Sequence, residues 1–153
     1  MNDAEIATWS SSDLDEGSAF TEWMNFATVP YISSTHAGRF ATNHVNEAGA
    51  DAYGMYEDIG TMPEGGVVAK PTFTVSYKGE AELGPLFLME KAADGSHPDS
   101  NDWIYTTILP DGTLQGRTGG MNADAMQMCV ACHTAMGSDS DDLLFIPDEF
   151  RVN

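Results

Sequence analysis

The feature that most constrains this chain is a five-residue motif near its C-terminus, Cys129-Val130-Ala131-Cys132-His133, which contains both cysteines of the sequence. On a helix, two cysteines at this spacing lie about one turn apart, and the next residue projects its imidazole from the same side. Two thioether bonds to a porphyrin and one axial bond to its iron require this arrangement. The motif therefore predicts one covalently bound haem c, attached at Cys129 and Cys132, with His133 as the iron ligand.

Two other uses of a cysteine pair remain open. A disulfide, structural or redox-active, needs only the two thiols, but a thioredoxin-like pair precedes a helix in a βαβ unit, which this C-terminal position lacks. A zinc site usually has four ligands, and the sequence contains no second cysteine pair. Haem attachment explains all three fixed positions of the motif, whereas the alternatives do not.

The charge balance limits the class of partner. Among 153 residues, 24 Asp and Glu face six Lys and Arg, which gives a formal net charge of -18. Nucleic-acid binding is effectively excluded, because it needs clustered basic residues. The acidic surface either keeps the protein solvated, for example in a salty medium, or steers a basic redox partner such as another cytochrome.

The N-terminal sequence and the hydropathy pattern bear on location. No apolar run approaches the roughly 20 residues that a membrane-spanning helix needs, and residues 1–17 contain neither a basic nor an apolar leader segment. Bacteria attach haem c outside the cytoplasm. We therefore expect a soluble periplasmic protein whose signal peptide has been removed, with Met1 added in its place.

The pattern along the chain predicts a mostly β (α+β) fold, in which an antiparallel meander is joined by a few helices. We expect residues 1–16 to be loosely ordered apart from Trp9, and residues 17–153 to form a single domain. The predicted helices cover residues 17–29 and 47–53, the second capped by Asn46. The predicted strands cover residues 39–45, 67–77, 85–92 and 103–109, with Pro71 marking an edge or a bulge.

The C-terminal part is predicted to carry the motif on a short helix. Either Asn122 or Asp124 could cap this helix, and residues 143–146 are expected to return as a last strand. Four methionines near the motif are expected to pack in the core rather than bind iron, namely Met121, Met126, Met128 and Met136. The iron is then five-coordinate, with an open distal site for small ligands.

These features, taken in order, resemble the cytochrome P-460 family over residues 36–151. The shared features are the late CxxCH motif, the Asp102-Trp103-Ile104-Tyr105 strand with its Pro-Asp-Gly turn, the Met62-Pro63-Glu64-Gly65 turn before the strand with Lys70, and the hydrophobic return at residues 142–145. The resemblance implies a mostly β homodimer with a periplasmic haem. Enzymatic members of the family oxidise hydroxylamine, and one of their lysines is bonded to the porphyrin edge.

A sister group, the cytochromes c′-beta, is similar in fold but lacks the lysine cross-link. Its members bind nitric oxide and similar gases beneath a hydrophobic, Phe-lined cap. The choice between the two groups therefore depends on one lysine. Lys70 stands where the cross-linking lysine is expected, and Lys91 is a weaker candidate. A strand lysine that discourages aggregation or binds a haem propionate is the alternative.

The resemblance also suggests roles for other side chains. Asp124 corresponds in placement to the carboxylate that accepts protons in active members, with helix capping as the alternative. Phe73 could contribute to the distal cap or pack in the core, and Arg39 could bind a haem propionate. His36 and His44 are further candidates for proton transfer, although a lone histidine is more often structural.

Three hypotheses from different classes follow. The first is an enzyme that oxidises hydroxylamine, with nitric oxide chemistry, at a haem cross-linked to Lys70. The second is a protein that binds nitric oxide or carbon monoxide without a cross-link. The third is an electron carrier whose iron has a Met or His as its sixth ligand.

Overall fold

An antiparallel β-sheet dominates the protein. The structure, a computed structural model, describes Trp9, Ser12 and residues 14–152; the predicted looseness of residues 1–16 falls mainly outside this part of the chain. The described strands are β1 (Met24–Asn25), β2 (Tyr31–Ser33), β3 (Arg39–Ala41), β4 (His44–Val45), β5 (Val67–Val75), β6 (Ala81–Lys91), β7 (Trp103–Ile108) and β8 (Leu114–Arg117). The described α-helices are α1 (Glu16–Ala19), α2 (Glu47–Tyr53) and α3 (Gln127–Gly137). The predicted class, mostly antiparallel β with a few helices and one near the C-terminus, is confirmed.

The sheet is built around β5. Its strand order is β1-β4-β5-β6-β7-β8, while β3 pairs with another part of β5 and β2 pairs with β3. All of these pairs are antiparallel. Strands β5 to β8 follow one another in sequence and in space, which confirms the predicted meander.

Alternate side chains of β5 to β7 belong to two different cores, as the two-residue period of a strand requires. On one side, Ala69, Leu86 and Ile108 pack with the N-terminal Trp9 and Phe20. On the other side, three further strand residues pack with residues of α3 and of the segment after it. These three are Val68, Met89 and Tyr105. The motif-bearing helix therefore covers one face of the sheet.

Pro71 lies at a β-bulge, which confirms one of its two predicted positions. The register between β5 and β6 shifts between Pro71 and Phe73. On its other side, Pro71 falls in the gap between β3, which pairs at Thr72, and β4, which pairs at Ala69. Because proline has no backbone N–H, it is tolerated where the backbone donates no hydrogen bond to a neighbouring strand.

The predicted helix over residues 17–29 is wrong beyond its first turns. Helix α1 passes into a short 3-10 turn, Phe20–Glu22, and Trp23 is extended with ψ at 160°. Phe20 and Phe26 then bury their rings in different cores. The helical spacing of the apolar residues in this segment therefore does not indicate a helix. It arises because the chain crosses from one side of the sheet to the other.

Two strand predictions also need correction. The predicted strand over residues 39–45 is two short strands, because buried Asn43 hydrogen bonds with the hydroxyls of Tyr31 and Tyr53. Residues 143–146 form no strand, although Leu143 and Ile146 are buried. Two consecutive residues with left-handed backbone, Asp141 and Asp142, turn the chain back over α3 before this segment.

The sequence predicted N-caps for two helices, and the structure confirms only one of these predictions. The Asn46 side chain accepts a hydrogen bond from the Gly49 amide, which confirms it as the N-cap of α2. Neither Asn122 nor Asp124 caps the C-terminal helix through its side chain. The chain enters α3 through a 3-10 turn, Ala123–Met126, and the Asn122 amide donates to the Gln115 carbonyl instead.

Candidate haem-attachment site

Helix α3 presents the motif at the edge of a cavity. Cys129 and Cys132 are both half-buried, and both are free thiols, so they do not form the alternative disulfide. Burial raises the pKa of the Cys129 thiol, which keeps it protonated in the absence of a reaction partner. Val130, between them, is buried in the core and fixes the rotation of the helix. Both sulfurs therefore border the same space, one helical turn apart.

His133 is held in one orientation by the segment after the helix. Its Nδ1 lies 2.8 Å from the backbone carbonyl oxygen of Asp142, and this oxygen can only accept a hydrogen bond. The proton is thus on Nδ1, and Nε2 keeps its lone pair. Burial lowers the pKa of His133, so the ring is neutral at neutral pH. The left-handed backbone of Asp142 thus serves to aim the imidazole.

Two adjoining cavities meet at the motif. The inner one has a volume of about 40 Å³ and the outer one about 300 Å³. Their shared lining residues are His36, Phe87, Cys129, His133 and Leu144. No Asp or Glu is among the residues that line either cavity. The site is therefore mostly apolar, and its titratable side chains are basic groups, imidazoles, thiols and phenols rather than carboxylates.

Lys70 projects into the inner cavity from the centre of the sheet. It lies opposite Phe87 of β6, and its Nζ is 5.9 Å from the centre of the Tyr31 ring. Among the described residues, no hydrogen bond or ion pair is made by this Nζ. Burial lowers the pKa of Lys70 to about 8, so a larger fraction of the amine is neutral near pH 7 than in an ordinary lysine, although most of it stays protonated. The structure thus brings Lys70 and His133 to one cavity.

His36 faces the same cavity from the loop between β2 and β3. Its ring centre lies 4.8 Å from that of Phe87 and 6.5 Å from that of His133. Burial, with a contribution from the nearby Lys70, lowers the pKa of His36 to about 3. Arg39 lines the outer cavity, and its guanidinium donates to the His36 carbonyl. Both residues are therefore placed to meet a bound molecule.

Two candidates lie away from the cavities. Asp124 is exposed on the 3-10 turn before α3, because Met126 in the same turn points into the core. It lines neither cavity at the motif, so the structure gives no support to its expected role as the distal proton acceptor. Phe73 stacks on Phe40, with ring centres 5.4 Å apart, and lines neither cavity. The bulge at Pro71 separates it from Lys70, so the expected place in a distal cap is not supported.

The remaining candidates have structural surroundings. His44 packs edge-on against Phe20, and its Nε2 is 3.0 Å from the Thr42 hydroxyl. Lys91 is buried in an ion pair with Asp141, with 2.8 Å between Nζ and Oδ1. Neither residue lines a cavity at the motif. Lys91 is therefore not available for a haem cross-link.

The expectation for the four methionines is wrong for three of them. Only Met126 is buried, whereas Met121, Met128 and Met136 are exposed. Met128 lines the outer cavity with 78% of its surface exposed, because it lies on the opposite side of α3 from Val130 and Met126. The spacing of the methionines along the helix did not indicate which of them lie on the side of α3 that faces the sheet.

Sequence reasoning missed several cavity residues, and two of them, Tyr105 and Phe87, contact the histidines of the site. Tyr105 is buried, packs edge-on against His133 with ring centres 5.3 Å apart, and has a hydroxyl without a hydrogen-bond partner among the described residues. Phe87 lies between His36 and Lys70. Both residues could have been found from the two-residue period of β6 and β7. This period places four residues on the side of the sheet that faces the motif, namely Phe87, Met89, Tyr105 and Thr107.

Comparisons with known proteins do not identify a family. No family model matches the chain, and no curated protein shows significant sequence similarity to it. Within the described residues, no three His, Cys, Asp or Glu side chains are grouped so that they could hold a metal ion. No helix in this part of the chain is long and apolar enough to cross a membrane.

Proposed function

We propose that the chain is a mono-haem cytochrome c of the cytochrome P-460 type that acts on hydroxylamine, with nitric oxide chemistry, in the periplasm. One observation carries the proposal: Cys129, Cys132, His133 and Lys70 all border the same pair of adjoining cavities. The sequence separates Lys70 from the motif by nearly 60 residues. A cross-link between this lysine and a porphyrin attached at the two cysteines is therefore sterically reasonable.

The residues present fit a covalently held haem. Cys129 and Cys132 would form the thioether bonds, and the free Nε2 of His133 would bind the iron. The apolar cavity walls suit the porphyrin face, and Arg39 at the outer cavity could pair with a propionate. The hydroxyl of Tyr105 is a buried polar group without a hydrogen-bond partner among the described residues, and a bound molecule would satisfy it.

Lys70 has the chemistry that a cross-link needs. Its lowered pKa increases the fraction of neutral amine, which is the nucleophilic form. Bond formation would replace one N–H of the amine and one C–H of the porphyrin edge, so two electrons and two protons pass to an oxidant such as a peroxide. When bound, the haem supplies a redox-active iron that accepts electrons from the nitrogen substrate. A redox partner cytochrome would then receive them.

A second candidate function is binding of nitric oxide or a similar gas, as in the cytochromes c′-beta. It is favoured by the absence of any carboxylate from the two cavity linings, since Asp124 lies elsewhere. Oxidation of hydroxylamine releases protons, and an acceptor near the substrate assists it. Gas binding needs no such acceptor. Both candidates are compatible with a homodimer, as the family resemblance implies.

Substitution of Lys70 tests the proposal and separates the two candidates. A pyridine haemochrome α-band would establish haem c, and a red-shifted, broadened Soret band in the ferrous protein would indicate the cross-link. In Lys70→Ala we expect an ordinary haem c spectrum, loss of hydroxylamine turnover, and an intact mass without the cross-linked species. Lys78→Ala, at an exposed turn lysine, is the matched control and should leave all three readouts unchanged.

Each outcome has a defined meaning. Absence of the α-band would refute haem attachment. An ordinary high-spin spectrum in the wild-type chain, together with tight nitric oxide binding and no turnover, would favour the gas-binding candidate. Turnover that survives Lys70→Ala would show that the lysine is not part of the reaction.

A further inference from the structure

His36 and His133 lie close together in the lining of both cavities at the motif. His36 ends the 3-10 turn Ser34–His36, and the next two residues, Ala37 and Gly38, have positive φ angles that reverse the chain into β3. The ring centres of the two histidines are 6.5 Å apart, and the ring planes meet at 66° in an edge-on arrangement. The ring of His36 thus lies within 6.5 Å of the ring of the proposed iron ligand.

In both imidazoles, Nδ1 is the nitrogen that has a hydrogen-bond partner. In His133, Nδ1 bonds to the Asp142 carbonyl. In His36, Nδ1 lies 2.9 Å from the Ser33 hydroxyl and 3.2 Å from that of Thr35. Neither Nε2 makes a hydrogen bond to a described residue. For His133 the carbonyl fixes the proton on Nδ1, whereas a hydroxyl can donate or accept, so the Ser33 contact allows the tautomer of His36 that has its lone pair on Nε2.

The separation of the rings fits a shared metal ion. An imidazole nitrogen binds a transition metal at about 2.0–2.1 Å, so two ring centres on opposite sides of one metal lie roughly 6 to 6.5 Å apart. A small molecule inserted between the metal and one ring would add about 2 Å or more. The observed 6.5 Å therefore matches direct binding by both rings rather than an empty distal position.

We propose that His36 is the sixth iron ligand in the resting protein and that small nitrogen compounds bind by displacing it. This inference rests on the proposed haem, and it replaces the expectation of a permanently open distal site. The displaced imidazole would remain beside the bound ligand, because Phe87 and the hydroxyls of Ser33 and Thr35 flank its ring. Ligand exchange is then controlled by the loop between β2 and β3.

The spin state of the ferric holoprotein tests this inference. We expect the wild-type protein to be low-spin by absorption and electron paramagnetic resonance, and His36→Ala to be high-spin. Added imidazole should restore the low-spin spectrum of His36→Ala by filling the vacated position. His97→Ala is the matched control, because His97 is half-buried and lines neither cavity, and it should stay low-spin.

Nitric oxide binding to the ferrous wild-type protein is a second test that needs no variant. If His36 must leave first, the observed binding rate should level off as the nitric oxide concentration rises. If about a tenth of the molecules have a free position, His36→Ala should bind nitric oxide about tenfold more tightly.

The outcomes separate this inference from the proposed function. A haemochrome α-band with a high-spin wild-type spectrum, or a binding rate that rises linearly without limit, would overturn the role of His36 and leave haem attachment intact. A low-spin spectrum in His36→Ala without imidazole would also overturn it. Absence of the α-band would overturn both proposals.

Discussion

A single carboxylate, Asp141, connects the candidate site to the core. It accepts hydrogen bonds from the Met62 amide, the Lys91 ammonium and the Asn101 amide, and its carbonyl accepts one from the Trp103 indole. The residue that follows it supplies the carbonyl that orients His133. The orientation of His133, the proposed iron ligand, therefore depends on the buried Lys91–Asp141 charge pair, neither member of which lines the two cavities.

The Lys91–Asp141 pair gives a prediction at the scale of the residue. Asp141→Asn keeps the size and tolerates the left-handed backbone, but it leaves the Lys91 charge buried without a counter-charge. We expect a loss of about 3–5 kcal/mol in the free energy of unfolding, measured by urea denaturation. The double variant Asp141→Asn/Lys91→Met should recover most of this loss, because it removes the buried charge. Equal instability of the single and double variants would contradict this account.

The long strands were predictable from the sequence, whereas the short elements were not. Strands β5 to β7 contain enough β-branched and aromatic residues for their pattern to outweigh local exceptions such as Pro71. The two-residue strands β1 and β4 have no such pattern. They form because Phe26, Asn43 and Val45 make hydrogen bonds and core contacts with residues outside their own strands. A strand of two residues is specified by tertiary contacts rather than by its own sequence.

Asn46 gives a prediction at the scale of the element. Its side-chain oxygen accepts from the Gly49 amide of α2 and the Val67 amide of β5, and its amide donates to the Gly65 carbonyl. Asn46→Ala should therefore lower the free energy of unfolding by about 1–2 kcal/mol. Asn46→Asp keeps the acceptor at both amides and should cost less. If thermal or urea unfolding gave equal losses for the two variants, the cap would not be the source of the stability.

The candidate site was only partly predictable because its residues come from distant segments. Cys129, Cys132 and His133 form a local motif, so their spacing alone indicated their chemistry. Lys70 was selected through a family resemblance, and its place in the cavity depends on the register of β5 with β6. The proximity of His36 to His133 depends on the loop between β2 and β3 and on the turn at Asp142. Neither the loop nor the turn has a periodic pattern in the sequence from which it could be predicted.

At the scale of the whole molecule, the excess of acidic residues is the dominant electrostatic feature. Three of the six basic residues form ion pairs in the described part of the chain, namely Lys91, Arg117 and Arg151. The formal net charge of -18 remains. Folding brings these charges closer together than they are in the unfolded chain, so their mutual repulsion opposes the native state.

Salt should therefore stabilise the protein. The Debye length falls from ~30 Å at 0.01 M salt to ~8 Å at 0.15 M, so repulsion between distant carboxylates is largely removed over this range. We expect the free energy of unfolding at pH 7, from urea titrations, to rise as sodium chloride is added. Repeating the series near pH 4.1, the isoelectric point of the sequence, provides the control. There the net charge is close to zero and the effect of salt should nearly vanish, whereas an equal rise at both pH values would assign it to general salting-out rather than to charge repulsion.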